Sequence, residues 1–190
     1  MRLFERALRR TGLPLRLTGG FNPHVRLSFP LPLAVGWEAE DEVMEFELSA
    51  WVTIKEIRER LVRQMPAGVT LLSETLVRGA ETAQVVEAEY SVTPISEQLQ
   101  GRLSQESLDG FLKSDKFEVQ RMRDKKLKSV NIRPYLTGMT LEGGRLAMLM
   151  SVSPDGTSRP EEVLEGLGFE RREINAGFRV ARTRVRLRGE

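Results

Sequence analysis

Cysteine is absent from the 190 residues, and histidine occurs once, as His24. Without a thiolate the chain forms no disulfide, offers no cysteine nucleophile and holds no iron–sulfur cluster by the usual ligands. One histidine is too few for a self-contained zinc site, which draws mostly on His and Cys. Aromatic residues make up only 6%, and nothing resembles the paired aromatic strands of RNA-recognition modules. No phosphate-cradling P-loop and no dinucleotide-binding glycine pattern occurs, so no cofactor is expected. No apolar run approaches the roughly 20 residues that span a bilayer. Met1 opens directly onto an Arg-rich amphipathic stretch, without the apolar core of a secretory signal. The expectation is a soluble, cytoplasmic protein with no membrane partner.

What is present is a nearly balanced chain, of formal charge +2, whose charges are segregated. Residues 1–30 carry six Arg and one Glu, residues 121–133 six basic residues and one Asp, and residues 171–188 seven Arg and one Glu. Those segments together hold +16, which leaves −14 on the rest. Acidic residues gather at Glu38–Glu47 and Glu81–Glu89, the first group reading as a solvated strand face and its approach. Such segregation produces either a one-sided surface or opposite blocks that neutralise each other within the fold.

The elements fall into two halves. In Arg2–Arg10, Leu3, Phe4, Ala7 and Leu8 share one helical face and four Arg the other; Gly12 and Pro14 stop the helix. A short extended run at Val25–Phe29 and an alternating strand at Met44–Leu48 follow. Thr53 and Glu56 form a capping box for a second helix, and Val69–Val77 reads as a strand. Residues 78–84 read as a hinge. Beyond it come a strand at Val86–Val92, a helix at Ser104–Lys113 and a strand at Lys116–Met122. Asn131–Leu141 and Arg145–Ser153 flank the turn Glu142-Gly143-Gly144. Ser158 and Glu161 cap a last helix before the strand Phe178–Arg188. The expected fold is α+β: tandem ferredoxin-like (split βαβ) units at 1–78 and 85–190, the first lacking its opening strand and the second carrying an extra hairpin strand. A gap at that opening position would expose ladder groups, so a possible homo-oligomer through the incomplete first sheet, or an upstream segment, is expected to fill it.

Three segments are candidates for chemistry. Gly19-Gly20-Phe21-Asn22-Pro23-His24-Val25-Arg26 combines paired glycines, a turn-forming Asn-Pro and the single histidine, the side-chain type suited to general acid/base work. His24 is the one candidate general acid/base, though it reads more simply as a loop histidine that hydrogen-bonds backbone and holds the turn, or as a phosphate or partner contact. In the last strand Arg182, Arg184, Arg186 and Arg188 alternate with Ala181, Thr183, Val185 and Leu187. Arginines at strand pitch, about 6.6–6.8 Å apart, suit successive phosphates, and equally suit cross-strand pairing with Glu87 and Glu89. The third block is Arg121–Lys128. Nucleic-acid-binding candidates are therefore Arg9, Arg10, Asn22, His24, Arg26, Lys125, Lys126, Arg182, Arg184, Arg186 and Arg188, binding through phosphate charge and shape.

Glu5-Arg6-Ala7-Leu8-Arg9-Arg10-Thr11-Gly12-Leu13-Pro14 and Gly20-Phe21-Asn22-Pro23-His24-Val25-Arg26-Leu27-Ser28-Phe29 resemble the radical-SAM-linked domain family. Leu33-Ala34-Val35-Gly36, Ile132-Arg133-Pro134-Tyr135 and Arg182-Thr183 are similar to it as well. The resemblance implies a partner, a B12-binding-type radical SAM protein encoded beside or fused to the domain, and a gene setting that leans toward RNA. Two features depart from the family pattern: a Ser-His-Leu-Asp segment precedes the first helix in other members, and Thr18-Gly19 stands here in place of Ser-Gln. The function expected from this is a non-catalytic RNA-binding or substrate-presenting companion of a radical SAM enzyme, in tRNA or rRNA modification or processing. Two alternatives stand beside it: a metal-independent ribonuclease of the CRISPR repeat-processing type using His24, and a protein-only scaffold for the radical SAM partner.

Overall fold

The computed structural model describes residues 2–77, 82–123 and 125–189. In chain order the elements are α1 (Arg2–Arg10), β1 (Leu27–Ser28), β2 (Glu38–Ala39), β3 (Glu45–Phe46), α2 (Ile54–Val62), β4 (Val85–Pro94), α3 (Glu97–Gln100) and α4 (Gln105–Lys113). They continue with β5 (Glu118–Arg123), β6 (Lys126–Asn131), β7 (Leu136–Glu142), β8 (Arg145–Ser151), α5 (Pro160–Gly166), α6 (Arg171–Gly177) and β9 (Phe178–Leu187). The class is α+β. Two compact units emerge: residues 1–30 with 43–83, and residues 31–42 with 84–190. The chain thus makes an excursion into the second unit at 31–42 before finally passing into it at 84. Of the expected hinge, residues 78–81 lie outside the described residues.

In the first unit, α1 buries Ala7 and Leu8, and α2 buries Ile57 and Leu61. Leu8, Ile57 and Leu61 share a core with Leu13, Val25 and Val52. Burying an aliphatic side chain of this size contributes about 1.5–3 kcal/mol. Thr53 caps α2 as its sequence position implies, its hydroxyl accepting from the Glu56 N–H at 3.2 Å. The strands are short: β1 pairs antiparallel with β3, extended by bridges Leu15↔Leu48 and Leu17↔Val25. Three backbone bonds close a ring at this junction. Arg16 N–H donates to Glu47 O, Glu47 N–H to Arg26 O and Arg26 N–H to Arg16 O. The expected strand at Val69–Val77 forms no ladder; those residues are irregular.

The second unit is built on a five-stranded sheet in the order β2-β9-β4-β8-β7. β4, β7, β8 and β9 are antiparallel to their neighbours, and β2 joins β9 in parallel at the edge. Helices α3 and α4 follow β4, and α5 and α6 link β8 to β9. Because β8 lies between β4 and β7, the crossover that leaves β4 is split. One face of the sheet, with Tyr90, Val92, Leu146, Met148, Met150 and Val180, shares a core with Leu108, Val163 and Ile174 of the helices. The turn joining β7 to β8 holds Gly143 and Gly144 at φ 57° and 76°, the left-handed pair a two-residue hairpin requires.

Two local expectations are corrected. The single strand expected at Asn131–Leu141 is broken by a 3-10 turn, Arg133–Tyr135, because Pro134 has no N–H to give a ladder. β5 and β6 consequently pair only with each other, as a separate two-stranded ribbon. The last-helix cap lies one residue later than expected: Glu162, not Glu161, reaches back to accept the Arg159 N–H at 3.0 Å. Ser158 Oγ is buried with no hydrogen-bond partner among the described residues.

Candidate functional site

The loop from Thr18 to His24 closes on itself above the Leu17↔Val25 bridge. Thr18 N–H donates to His24 O at 2.8 Å, and the Thr18 hydroxyl accepts from His24 N–H at 3.0 Å. Gly20, at φ 105°, makes the reversal that a side chain would strain. The tip carries Phe21 fully exposed, with Asn22 exposed beside it.

His24 leans back onto α1, placing Nδ1 3.2 Å from Glu5 Oε1 while its side chain stays 67% exposed. The same Glu5 oxygen accepts from Arg9 Nη2 at 3.1 Å and from the Val25 N–H at 3.4 Å. The Arg9 guanidinium beside Glu5 holds its carboxyl below the ordinary 4.5, with the His24 and Val25 contacts adding to this against partial desolvation. An ionised carboxylate only accepts, so this contact requires the proton on Nδ1. Arg9 also donates to Pro23 O at 2.6 Å, tying the helix to the loop. Glu5 is the residue that a reading for lone functional motifs misses. Its signal is the i, i+4 spacing to Arg9 on the helix that faces the Asn-Pro-His turn.

Other candidates in this unit serve structural contacts. Arg10 bonds Gln64 through Nε at 3.0 Å. Arg26 and Arg16 both reach Glu47, at 3.3 and 3.4 Å, above the backbone ring. Arg2 and Arg6 on the outer face of α1 are exposed, with no carboxylate in ion-pair range among the described residues.

In the second unit the four-arginine stripe is not continuous. Register slips between Glu89↔Arg184 and Tyr90↔Arg182, so Thr183 is the extra residue of a bulge. Upstream of it Phe178, Val180 and Arg182 point inward; downstream Val185 does. Arg182 is therefore withdrawn from any surface stripe: its side chain is 1% exposed, ion-paired to Glu42 and bonded to Leu31 O at 2.8 Å. Asp41 beside Glu42 accepts the Val185 N–H at 2.8 Å, so this acidic stretch meets β9 rather than water. Arg186 pairs with Glu87 at 3.0 Å and Arg184 lies 3.9 Å from Glu89, the cross-strand pairing that the alternation allowed. Arg188 is exposed after the strand end. Tyr90, against Arg182, has its hydroxyl pushed above 10 by burial. Lys125 and Lys126 are exposed at the end of the β5–β6 ribbon.

Among the described residues no group of three or more His, Asp or Glu is arranged to hold a metal ion, and no helix is long and apolar enough to cross a membrane. The family described as an uncharacterized protein conserved in bacteria (DUF2344) matches residues 1–160, which include the Thr18–His24 loop and the β5–β6 ribbon but not β9. No curated protein and no solved structure matches the chain.

Proposed function

We propose that this chain, which belongs to the DUF2344 family of proteins conserved in bacteria, is a non-catalytic RNA-binding companion of a radical SAM enzyme that presents tRNA or rRNA to it. The observation that carries the RNA reading is the Thr18–His24 loop, with a fully exposed aromatic at its tip. Asn22 and His24 of the same loop are exposed, and Arg9 of α1 reaches the loop at Pro23 O. An aromatic with polar and basic groups on one loop suits one unstacked base and its flanking phosphates. The partner reading rests on the motif resemblance around residues 5–14 and 20–29. It is compatible with the lack of cysteine, since the iron–sulfur cluster would then be the partner's.

Binding to a tRNA or rRNA stem-loop should weaken steeply between about 50 and 200 mM salt, because phosphate contacts release condensed counterions. A base stacked on an aromatic is worth about 1–3 kcal/mol, so Phe21→Ala should weaken binding about 5- to 150-fold. Absence of binding at low salt, both with and without the radical SAM protein, would overturn the proposal.

The contact between Glu5 and His24 favours a second reading, a metal-independent ribonuclease with His24 as general base and an arginine steadying the phosphorane. Against it, Arg9 is already engaged by Glu5 and Pro23 O, and no second acid converges on His24 among the described residues. RNA cleavage in EDTA that disappears in His24→Ala would decide for this reading.

A further inference from the structure

We infer that the end of the β5–β6 ribbon is a second RNA contact, a wedge that packs Met122 and Leu127 against an unstacked base at a bulge or junction while its lysines take the adjoining phosphates. This rests on the RNA reading above and adds a separate site, on the other unit, with a substrate class: helical RNA interrupted by a bulge or junction.

The base of the ribbon is anchored. Val119 is buried and Val130 packs on the core of its unit. Asn131 Oδ1 accepts the Phe117 N–H at 2.9 Å. Arg121 makes a two-pronged contact with Glu162 at 2.7 and 2.6 Å and donates to Thr157 O at 2.6 Å. Beyond this anchorage every described side chain is in water: Met122 and the whole run Lys125–Ser129 are exposed. Since neighbouring residues of a strand point to opposite faces, exposure of consecutive residues means that neither face is covered. From Val119 to the end of β5 the ribbon is about 13 Å long at ~3.3 Å per residue.

The two faces of this uncovered end differ. Met122 and Leu127 are directly opposite each other across the ladder, 69% and 67% exposed. Lys126 and Lys128 occupy the other face two residues apart, about 6.6–6.8 Å along the strand, close to the step from one phosphate to the next. Lys125, at φ 61°, forms the turn itself. None of the three lysines has a carboxylate in ion-pair range among the described residues, unlike Arg121 at the base. Cross-strand contact between Met122 and Leu127 helps the hairpin form, yet leaves two-thirds of each side chain in water, so hairpin stability alone does not account for them.

The division of faces selects the occupant. A membrane surface receives a ribbon from one direction and would take the lysine face into the same layer as the apolar face. Interrupted helical RNA offers two unlike walls, a base face and a row of phosphates. Met and Leu are side chains that wedge against unstacked bases in nucleic-acid complexes. Because the major groove of intact A-form RNA is too deep and narrow for side chains, a bulge or junction with its splayed base is where the ribbon end can reach.

The test uses the full chain and an RNA hairpin carrying 2-aminopurine at a single-nucleotide bulge, with a terminal dye to report affinity. Wild type should bind and raise 2-aminopurine fluorescence. Met122→Ser/Leu127→Ser, on an exposed surface, should keep its circular dichroism and bind within about threefold, but lose the fluorescence rise. Lys126→Gln/Lys128→Gln should weaken binding and lower the salt slope by about 1–2. Wild-type binding with unchanged fluorescence, or an undiminished rise in the Ser variant, overturns the wedge and leaves the RNA reading standing. Failure of wild type to bind any RNA overturns both. If the Ser variant instead loses only cosedimentation with phosphatidylglycerol vesicles, the ribbon is a membrane device and the inference is wrong.

Discussion

Removing the carboxylate from Glu42 should loosen residues 31–42 from β9 and destabilise the second unit. Breaking a buried ion pair from one side costs about 3–5 kcal/mol, because the remaining charge is stranded. Arg182 is 1% exposed and Glu42 25%, so the charge stranded by Glu42→Ala is the fully buried one. Arg182 retains Leu31 O, bonded at 2.8 Å, which keeps the cost near the lower end, about 3 kcal/mol. For a unit of this size each kcal/mol moves the midpoint by about 4 °C, giving a fall of about 12 °C. Trp37 reports the event directly, since it stacks edge-on against Tyr90 at 6.0 Å within the same unit. The measurement is Trp37 fluorescence during thermal melting in a Trp51→Phe background. The double variant Glu42→Leu/Arg182→Met separates charge from packing. Arg182 Nε is buried without a partner among the described residues, so replacing the whole pair by apolar side chains should recover most of the loss. A Glu42→Ala protein melting within 2 °C of its parent, where about 12 °C is expected, would refute the reasoning.

The Arg121–Glu162 pair, 19% and 7% exposed, anchors the ribbon to α5; Glu162→Gln should cost about 2–4 kcal/mol in urea unfolding, and an unchanged midpoint would contradict this. Glu5 should titrate below 4.5 by carboxyl carbon NMR and move back toward that value in Arg9→Met, since Arg9 is the main cause of the shift. Because the folded pKa is depressed, the Glu5 contribution to stability is present above the unfolded value and is lost as pH falls through the folded one, so acid should weaken the loop anchorage below about pH 4.5. A Cβ at Gly166 would overlap the Phe111 ring, whereas one at Gly110 meets nothing within 4 Å. Gly166→Ala should therefore destabilise by about 1–3 kcal/mol despite its helix propensity, and Gly110→Ala should stabilise by about 0.5–1 kcal/mol; equal effects of the two in thermal melts would defeat the packing argument.

Elements with a local physical cause were legible in the sequence. The amphipathic pattern of α1, the Thr53 cap, the paired glycines at 143–144 and the alternation of β4 each depend on neighbours a few residues away. The excursion at 31–42 has no such signal. β2 spans only Glu38–Ala39, both exposed, and its acidic flank looks solvated until β9, some 140 residues later, comes alongside. Glu5 and His24 are a partial case: the chain signals the Glu5–Arg9 pair by its i, i+4 spacing, but the meeting of Glu5 with His24 depends on how the loop folds back onto α1.

The last strand shows where a regular pattern misleads. Arginines at 182, 184, 186 and 188 keep perfect alternation, which reads as one charged face. The apolar residues of the same strand do not: Phe178 and Val180 are even-numbered, Val185 and Leu187 odd. That change of parity requires an extra residue between 180 and 185 if both pairs are to face one core, and the bulge at Thr183 supplies it. Burial of apolar surface outweighs the preference of a charge for water as long as the charge finds a partner, and Glu42 is that partner. The consequence reaches the functional reading. With Arg182 interior and Arg186 paired to Glu87, the positive charge available to a nucleic acid shifts away from β9. Exposed positive charge with no carboxylate in ion-pair range among the described residues is found on Arg2 and Arg6 of α1 and on the lysines of the β5–β6 ribbon, besides Arg188 past the strand end.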